Sequence, residues 1–272
     1  MFEAFIRERR YLRNLSEETI TFYQDVYRVF KVAEPFTQTS LEEVIIKMRE
    51  RGVSVGGVNT YIRGINVYLR WLHTQGAPLI VLRKLKEEKK VFRSLTDSEL
   101  RAIVSFKPKS KTEKRLYALL LTLIDTGIRI NEALTLERGK VDFDNLLLTV
   151  KGKGNKERVV PFSYELRKVL FKQLNHKFNL VFCNRDGGKL RYDNIRRDFN
   201  SLMERLGIKP DAAFHAFRRT FATNYIKNGG NPLVLQRLLG HTTLHQTNQY
   251  VKLVTDDLAR EQQRTSILSR LK

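Results

Sequence analysis

Between about Gly76 and Arg93 the helical spacing of apolar residues lapses, and basic side chains crowd in: Arg83, Lys84, Lys86, Lys89, Lys90 and Arg93. A chain of 272 residues that loses its periodicity there builds two cores rather than one. This reading gives a small helical domain at 1–76, an exposed basic linker at 77–94 and a second domain at 95–272. Before the gap, Ser16 is placed as an N-cap, with Glu17 and Glu18 in the first turn where carboxylates favour the positive helix end. Ile20, Tyr23, Val26, Tyr27 and Phe30 then follow a helical stripe. Ser40-x-x-Glu43 reads as the capping box of a second helix that Gly52 ends. Tyr61, Ile65, Tyr68, Leu69 and Leu72 mark a third, which stops before Gly76 and Pro78.

After the gap, Thr96-x-x-Glu99 is another capping box. Leu116, Leu119, Leu120, Leu123 and Ile124 predict a buried helix terminated by Gly127. Leu146 to Val150 and Arg158 to Phe162 flank Gly152-Lys153-Gly154-Asn155 and predict a β-hairpin. Beyond Tyr192 the helical period returns. The expected class is mainly α: two domains, the first all-helical, the second mostly helical with a small antiparallel β-sheet.

The 42% hydrophobic and 29% charged content suits a globular protein. No apolar run approaches the roughly 18 residues of a membrane span, and the amino terminus lacks a basic n-region and a long h-region. A cytoplasmic location and no membrane partner are therefore expected. Cys183, the only cysteine, excludes an internal disulfide, and in Leu180-Val181-Phe182-Cys183 it reads as a packed thiol. Lys and Arg number 50 against 29 acids, a net charge of +21. That excess, spread along the chain, suits a polyanion, most commonly nucleic acid. It says nothing about chemistry.

Four segments of the second domain carry candidate chemistry. In Thr126-Gly127-Ile128-Arg129-Ile130-Asn131-Glu132, an arginine just past a glycine break can aim its guanidinium at a phosphate. Glu132, three residues on, can hold it in place. Lys153 on the hairpin turn can reach a groove as a proton donor; taken alone it reads as a solvated turn lysine. His215 and Arg218 share one helix face at i, i+3 spacing, with no third ligand nearby for zinc. Leu239-Gly240-His241 precedes Tyr250, which sits in the polar run Thr247-Asn248-Gln249-Tyr250, so its hydroxyl is not expected simply to pack in a core. Together the parts form one chemistry. Arg129 and Arg218, with His215 and His241, would neutralise a phosphodiester and its more highly charged transition state. Tyr250 would be the nucleophile, and Lys153 would protonate the departing sugar oxygen. No acidic triad suits a metal, and no cofactor is expected.

The ordered set Arg129, Lys153, His215-x-x-Arg218, His241, Tyr250 resembles the tyrosine recombinase (phage integrase) family. So do the strings Thr126-Gly127-Ile128-Arg129, Gly152-Lys153-Gly154-Asn155-Lys156-Glu157-Arg158 and Leu239-Gly240-His241. The likeness is detailed from about Leu95 onward and only general before it, where it implies a core-binding domain. The size and the glycine-lysine turn look closer to Xer-like recombinases. Phe217, Arg219 and Lys252 stand where relatives often carry Leu, His and His; none of these is a catalytic position.

The resemblance implies that Tyr250 forms a 3′-phosphotyrosyl link and frees a 5′-hydroxyl, which attacks the partner duplex's link through a Holliday junction, without metal or ATP. It implies double-stranded DNA as partner and a homo-tetramer on two DNA sites, a dimer per site, alone or beside a related partner subunit. It also implies a terminal helix at about 253–272 that docks into a neighbouring protomer, with packing on its own domain as the alternative. Two readings stay open beside it: a type IB topoisomerase-like relaxing enzyme, and a non-catalytic architectural DNA-binding protein.

Overall fold

The computed structural model describes residues 1–88, 92–152, 156–211, 213–241, 243, 247, 248 and 250. Lys153 and the expected terminal helix at 253–272 lie outside the described residues. The chain divides into two compact units, Met1–Lys90 and Val91–Lys272. Among the described residues, no helix is long and apolar enough to cross a membrane.

The first unit is helical: α1 Phe2–Arg7, running into a π-helical turn at Glu8–Leu12, then α2 Glu17–Phe30, α3 Gln38–Glu50 and α4 Val55–Thr74. Its core is built around aromatic rings. Phe2 stacks on Tyr27 at 3.8 Å, and Phe5 meets Tyr23, Tyr68 and Trp71 at 5.1–5.7 Å. Ile20, Val26 and Phe30 of the expected stripe are buried. The second capping box differs from the expectation. Helix α3 starts one turn early, on Thr37, because the Ser40 hydroxyl accepts from the Thr37 N–H while Thr37 accepts from Ser40, both at 3.0 Å. Ser40 is thus the N3 partner rather than the cap. Past α4 the chain runs extended along that helix. Asn66 pairs with both backbone groups of Leu82 (2.8 and 2.9 Å) and Asn59 with both of Leu85 (3.0 and 2.8 Å). Each amide thus satisfies a carbonyl and an N–H that would otherwise need water. Leu82 is buried, while Arg83, Lys84 and Lys86 face solvent.

The second unit comprises α5 Asp97–Ser105, α6 Lys111–Thr126, the short α7 Ile130–Leu134, the strands β1 Val141–Asp142, β2 Leu147–Lys151 and β3 Glu157–Pro161, then α8 Tyr164–Gln173, α9 Tyr192–Arg205, α10 Phe214–Lys227 and α11 Pro232–Leu239. The Thr96–Glu99 capping box forms as expected. The strands make an antiparallel sheet in the order β1-β2-β3, with Leu148 opposite Val160 and Val150 opposite Arg158. Leu148, Val150 and Val160 point into the core, which gives β2 its alternating burial. Helix α6 is the central rod. Its buried Leu116, Leu119, Leu120 and Leu123 belong to one core with Phe199 of α9 and Phe217 of α10, whose rings meet at 5.9 Å. Cys183 is buried and free, and burial pushes its thiol pKa up, as suits a packed rather than a reactive sulfur.

Candidate active site

The site grows from the end of α6. Gly127 terminates that helix in the left-handed conformation (φ 62°), and a Cβ there would sit 2.4 Å from the Phe221 ring of α10. Only glycine lets the two helices approach so closely while turning the chain. The turn does two things. It points the Gly127 carbonyl at Arg218, whose Nη1 donates to it at 2.9 Å, and it sets Arg129 at the N-cap of α7.

Glu132 lies beneath Arg129 and is 4% exposed. Its carboxylate accepts from the Arg129 backbone N–H at 2.7 Å and from Arg129 Nη1 at 2.9 Å. It also takes a two-pronged pair from Arg158, at 2.8 and 2.9 Å. Burial alone would raise its pKa; the bonds from Arg158 and Arg129 outweigh that and hold it below the ordinary carboxylate range. Glu132 therefore orients two arginines. Sequence reasoning paired it with Arg129 and passed over Arg158, which stands on β3 as one more basic residue of the turn motif. Only the register opposite Val150 turns that side chain toward Glu132.

The carboxyl end of α11 supplies the other half. Its last carbonyls lack partners within the helix and form the negative end of its dipole. The Leu238 carbonyl accepts from Arg158 Nε at 2.7 Å. The Leu239 carbonyl accepts from Arg218 Nη2 at 2.6 Å and from Arg129 Nη1 at 3.4 Å. Gly240 then reverses the chain at φ 62°, with the Arg158 side chain 3.1–3.2 Å from where a Cβ would stand. This is why Leu239-Gly240-His241 reads as a unit: two carbonyls gather three guanidiniums, and the glycine leaves them room.

His241 follows at once. Its Nδ1 lies 2.9 Å from the Thr247 hydroxyl, and its ring stacks near Tyr250 with centroids 6.4 Å apart. Tyr250 is 7% exposed and belongs to a cluster with Ala222, Leu235 and Leu239. The polar run around it predicted an unpacked side chain; instead the ring is seated among apolar side chains of α10 and α11. His215 is exposed, one turn before the buried Arg218 on α10.

Charge distinguishes this region from an ordinary core. Arg129, Arg158 and Arg218 bring three positive charges against the single negative charge of Glu132, an excess of two. Burial first, then Arg129, pushes Arg218 down to about 9, still charged at neutral pH. Burial, then Arg218, Arg129 and Arg158, holds His241 down at about 4, so its ring is neutral at pH 7. The protein around His215, followed by Arg218, Arg219 and Arg129, lowers its pKa as well. Lys153 lies outside the described residues, but the base of its turn does not. Gly152 donates to the Lys156 carbonyl at 2.8 Å, and a Cβ on it would stand 3.6 Å from both Glu132 Oε1 and Arg158 Nη1. Among the described residues, no group of three or more His, Cys, Asp or Glu is placed to hold a metal.

The tyrosine recombinase XerC of Oceanobacillus iheyensis is 27% identical over 94% of this chain and 92% of its own length. The tyrosine recombinase XerA of Saccharolobus solfataricus is 32% identical over 79% of this chain and 68% of its own. The Tn1549 transposon integrase, solved in complex with a circular intermediate DNA, matches at a TM-score of 0.76 over 96% of this chain and 98% of that one; at 19% identity, that match speaks for the fold. The model of the phage integrase family matches residues 93–256, the stretch that holds every candidate side chain described above. The chain therefore belongs to the phage integrase family, among its Xer-like tyrosine recombinases.

Proposed function

We propose that the chain is a site-specific DNA recombinase that binds double-stranded DNA and cleaves and rejoins its strands through Tyr250. Arg129, Lys153, His215, Arg218 and His241 serve the scissile phosphate, and Glu132 holds Arg129. The observation that carries this reading is the Leu239 carbonyl shared by Arg129 and Arg218. Two like charges, brought together from distant parts of the sequence with an uncompensated excess of two, fit an anion that becomes doubly negative, as a phosphodiester does in its transition state.

In this scheme the Tyr250 hydroxyl releases its proton to solvent as its oxygen bonds to phosphorus, the bond to the 5′-oxygen breaks, and Lys153 gives that departing oxygen a proton. With the Thr247 hydroxyl donating to Nδ1, neutral His241 keeps its proton on Nε2 and donates it to a phosphate oxygen. The ester stores the bond energy, so the freed 5′-hydroxyl of a partner strand reverses the step without ATP. On the same reading, the region 1–76 is a core-binding domain, 77–94 a linker and 95–272 the catalytic domain. The segment 253–272 docks on a neighbouring protomer, within a cytoplasmic homo-tetramer spanning two DNA sites through a Holliday junction. The Xer names of the relatives favour strand exchange over a relaxing topoisomerase or a binding-only protein.

The test is a covalent protein–DNA adduct on a denaturing gel, using nicked duplexes drawn from sequence flanking the gene. Wild type should form it in excess chelator, and Tyr250→Phe should bind the same DNA and form none. An adduct that survives in Tyr250→Phe assigns the nucleophile elsewhere. Binding without an adduct across a library of sites, with and without a related subunit, makes this a DNA-binding protein only.

A further inference from the structure

At the opposite end of α6 from Gly127 lies a cleft of about 720 Å³ whose lining includes five cations: Lys111, Lys114 and Arg115 of α6, Lys172 of α8, and Arg185. At 1.5 Å per residue, Arg115 stands roughly 16 Å along the helix from Thr126, so the catalytic arginines have no part in it. No carboxylate lines the cleft. Glu113, the acid on the first turn of α6, is occupied by Arg205 at 2.7 Å and by the N–H groups of Lys109 and Ser110.

Arg115 separates this cleft from a merely solvated basic face. Lysine heads on a surface cost little to hold, and a chain of net charge +21 has many of them. Arg115 is half-buried, its Nη1 donating to the Cys183 carbonyl at 2.9 Å, while its Nε is buried with no protein acceptor. Asp198 is near enough to favour its charge, yet no ion pair joins the two. Burying a guanidinium with an N–H unmade opposes folding. An anion in the cleft would supply the guanidinium with the counter-charge that no carboxylate of the lining provides.

We infer that this cleft is an anion site that takes a phosphate-bearing ligand, with Arg115 fixed at its floor and Lys111, Lys114, Lys172 and Arg185 closing over several phosphate oxygens. Five cations exceed what one carboxylate can satisfy and suit a polyphosphate or a run of nucleic-acid backbone. The site is independent of the strand-transfer reading, because none of its residues belongs to the catalytic set.

The first arm of the test is thermal unfolding of the full chain with and without inorganic tripolyphosphate. At a concentration a hundredfold above its Kd the ligand should raise Tm by roughly 5–10 °C. Lys114→Glu/Lys172→Glu, which leaves the buried Arg115 intact, should abolish the rise. Lys31→Glu/Lys47→Glu, with the same change in net charge on exposed lysines of the first unit, should keep it. An equal response from both variants, or no response from wild type, overturns the site. The second arm identifies the source of the phosphate through the salt dependence of binding to a long duplex. A slope of log K against log salt that falls by about 2 in the cleft variant assigns DNA backbone, and an unchanged slope assigns a free polyphosphate compound.

Discussion

The two units bury different things. Among the described residues, the first unit hides one polar side chain, Asn59, and its apolar core is knit at one side by interlocked rings from Phe2, Phe5, Tyr23, Tyr27, Tyr68 and Trp71. The second packs a core of leucines and phenylalanines around α6 and then, at one end, encloses Glu132 and Arg218 beside Arg129 and Arg158. Rings bury large apolar area and ask nothing of pH. Buried charges of one dominant sign cost stability unless geometry pairs them. The second unit thus spends stability on enclosing charged side chains, whereas among the described residues the first buries none.

Trp71 is the only tryptophan and lies in the first unit, so its fluorescence follows that unit while far-UV circular dichroism follows both. The largest effect expected is from Phe5→Ala, which empties the ring cluster and should cost about 3–5 kcal/mol. It should move the tryptophan transition in urea and leave the remaining ellipticity change in place. Glu132→Gln should do the reverse. It strips the shared partner from two arginines and should cost the second unit about 3 kcal/mol, with the tryptophan transition unmoved. A common shift of both signals in either variant would mean that the units unfold as one, and the contrast would fail.

Acid should separate the units next. His241 has a folded pKa near 4, below its unfolded value of about 6.5. The unfolded chain therefore binds the extra proton between those values, and stability is lost as pH falls from 6.5 to 4. The loss should be on the order of 1–2 kcal/mol once solvent around the half-exposed ring is allowed for. Glu132, with a depressed pKa, contributes stability that is whole above its unfolded value and disappears as pH falls through the folded one. The dichroic transition should weaken across this range while Trp71 holds. The smallest effect expected is from Gly240→Ala. A left-handed alanine against Arg158 should cost roughly 1–2 kcal/mol and slow adduct formation by displacing that arginine. Unchanged kinetics would remove Arg158 from the supporting set.

Local signals were legible wherever a few adjacent residues decide the outcome. The Thr96–Glu99 box, the Gly127 terminator and the hairpin around Gly152 all follow from neighbours in sequence. The box at Ser40 went astray because Thr37 offers the same chemistry one turn earlier, and the hydroxyl pair settles in favour of the earlier start. The hairpin strands lie one residue from the expected bounds, and β1 was not anticipated, since a two-residue strand carries no periodicity to detect. The packed ring of Tyr250 was missed for a related reason. Its polar neighbours say nothing about Ala222 and Leu235, which meet it from other helices.

From residue types and order alone came the two-part helical plan, the polyanion partner implied by charge, and the set Arg129, Lys153, His215, Arg218, His241 and Tyr250. These depend on composition, on short-range periodicity and on a motif whose order survives without coordinates. Tertiary structure alone decided that Arg158 shares Glu132 with Arg129, and that the Leu238 and Leu239 carbonyls hold three guanidiniums together. It also decided that the Nε of the half-buried Arg115 has no acceptor at the far end of α6. Side-chain convergence between elements distant in sequence depends on helix ends, strand register and close approach at a glycine, and none of these leaves a local pattern to read.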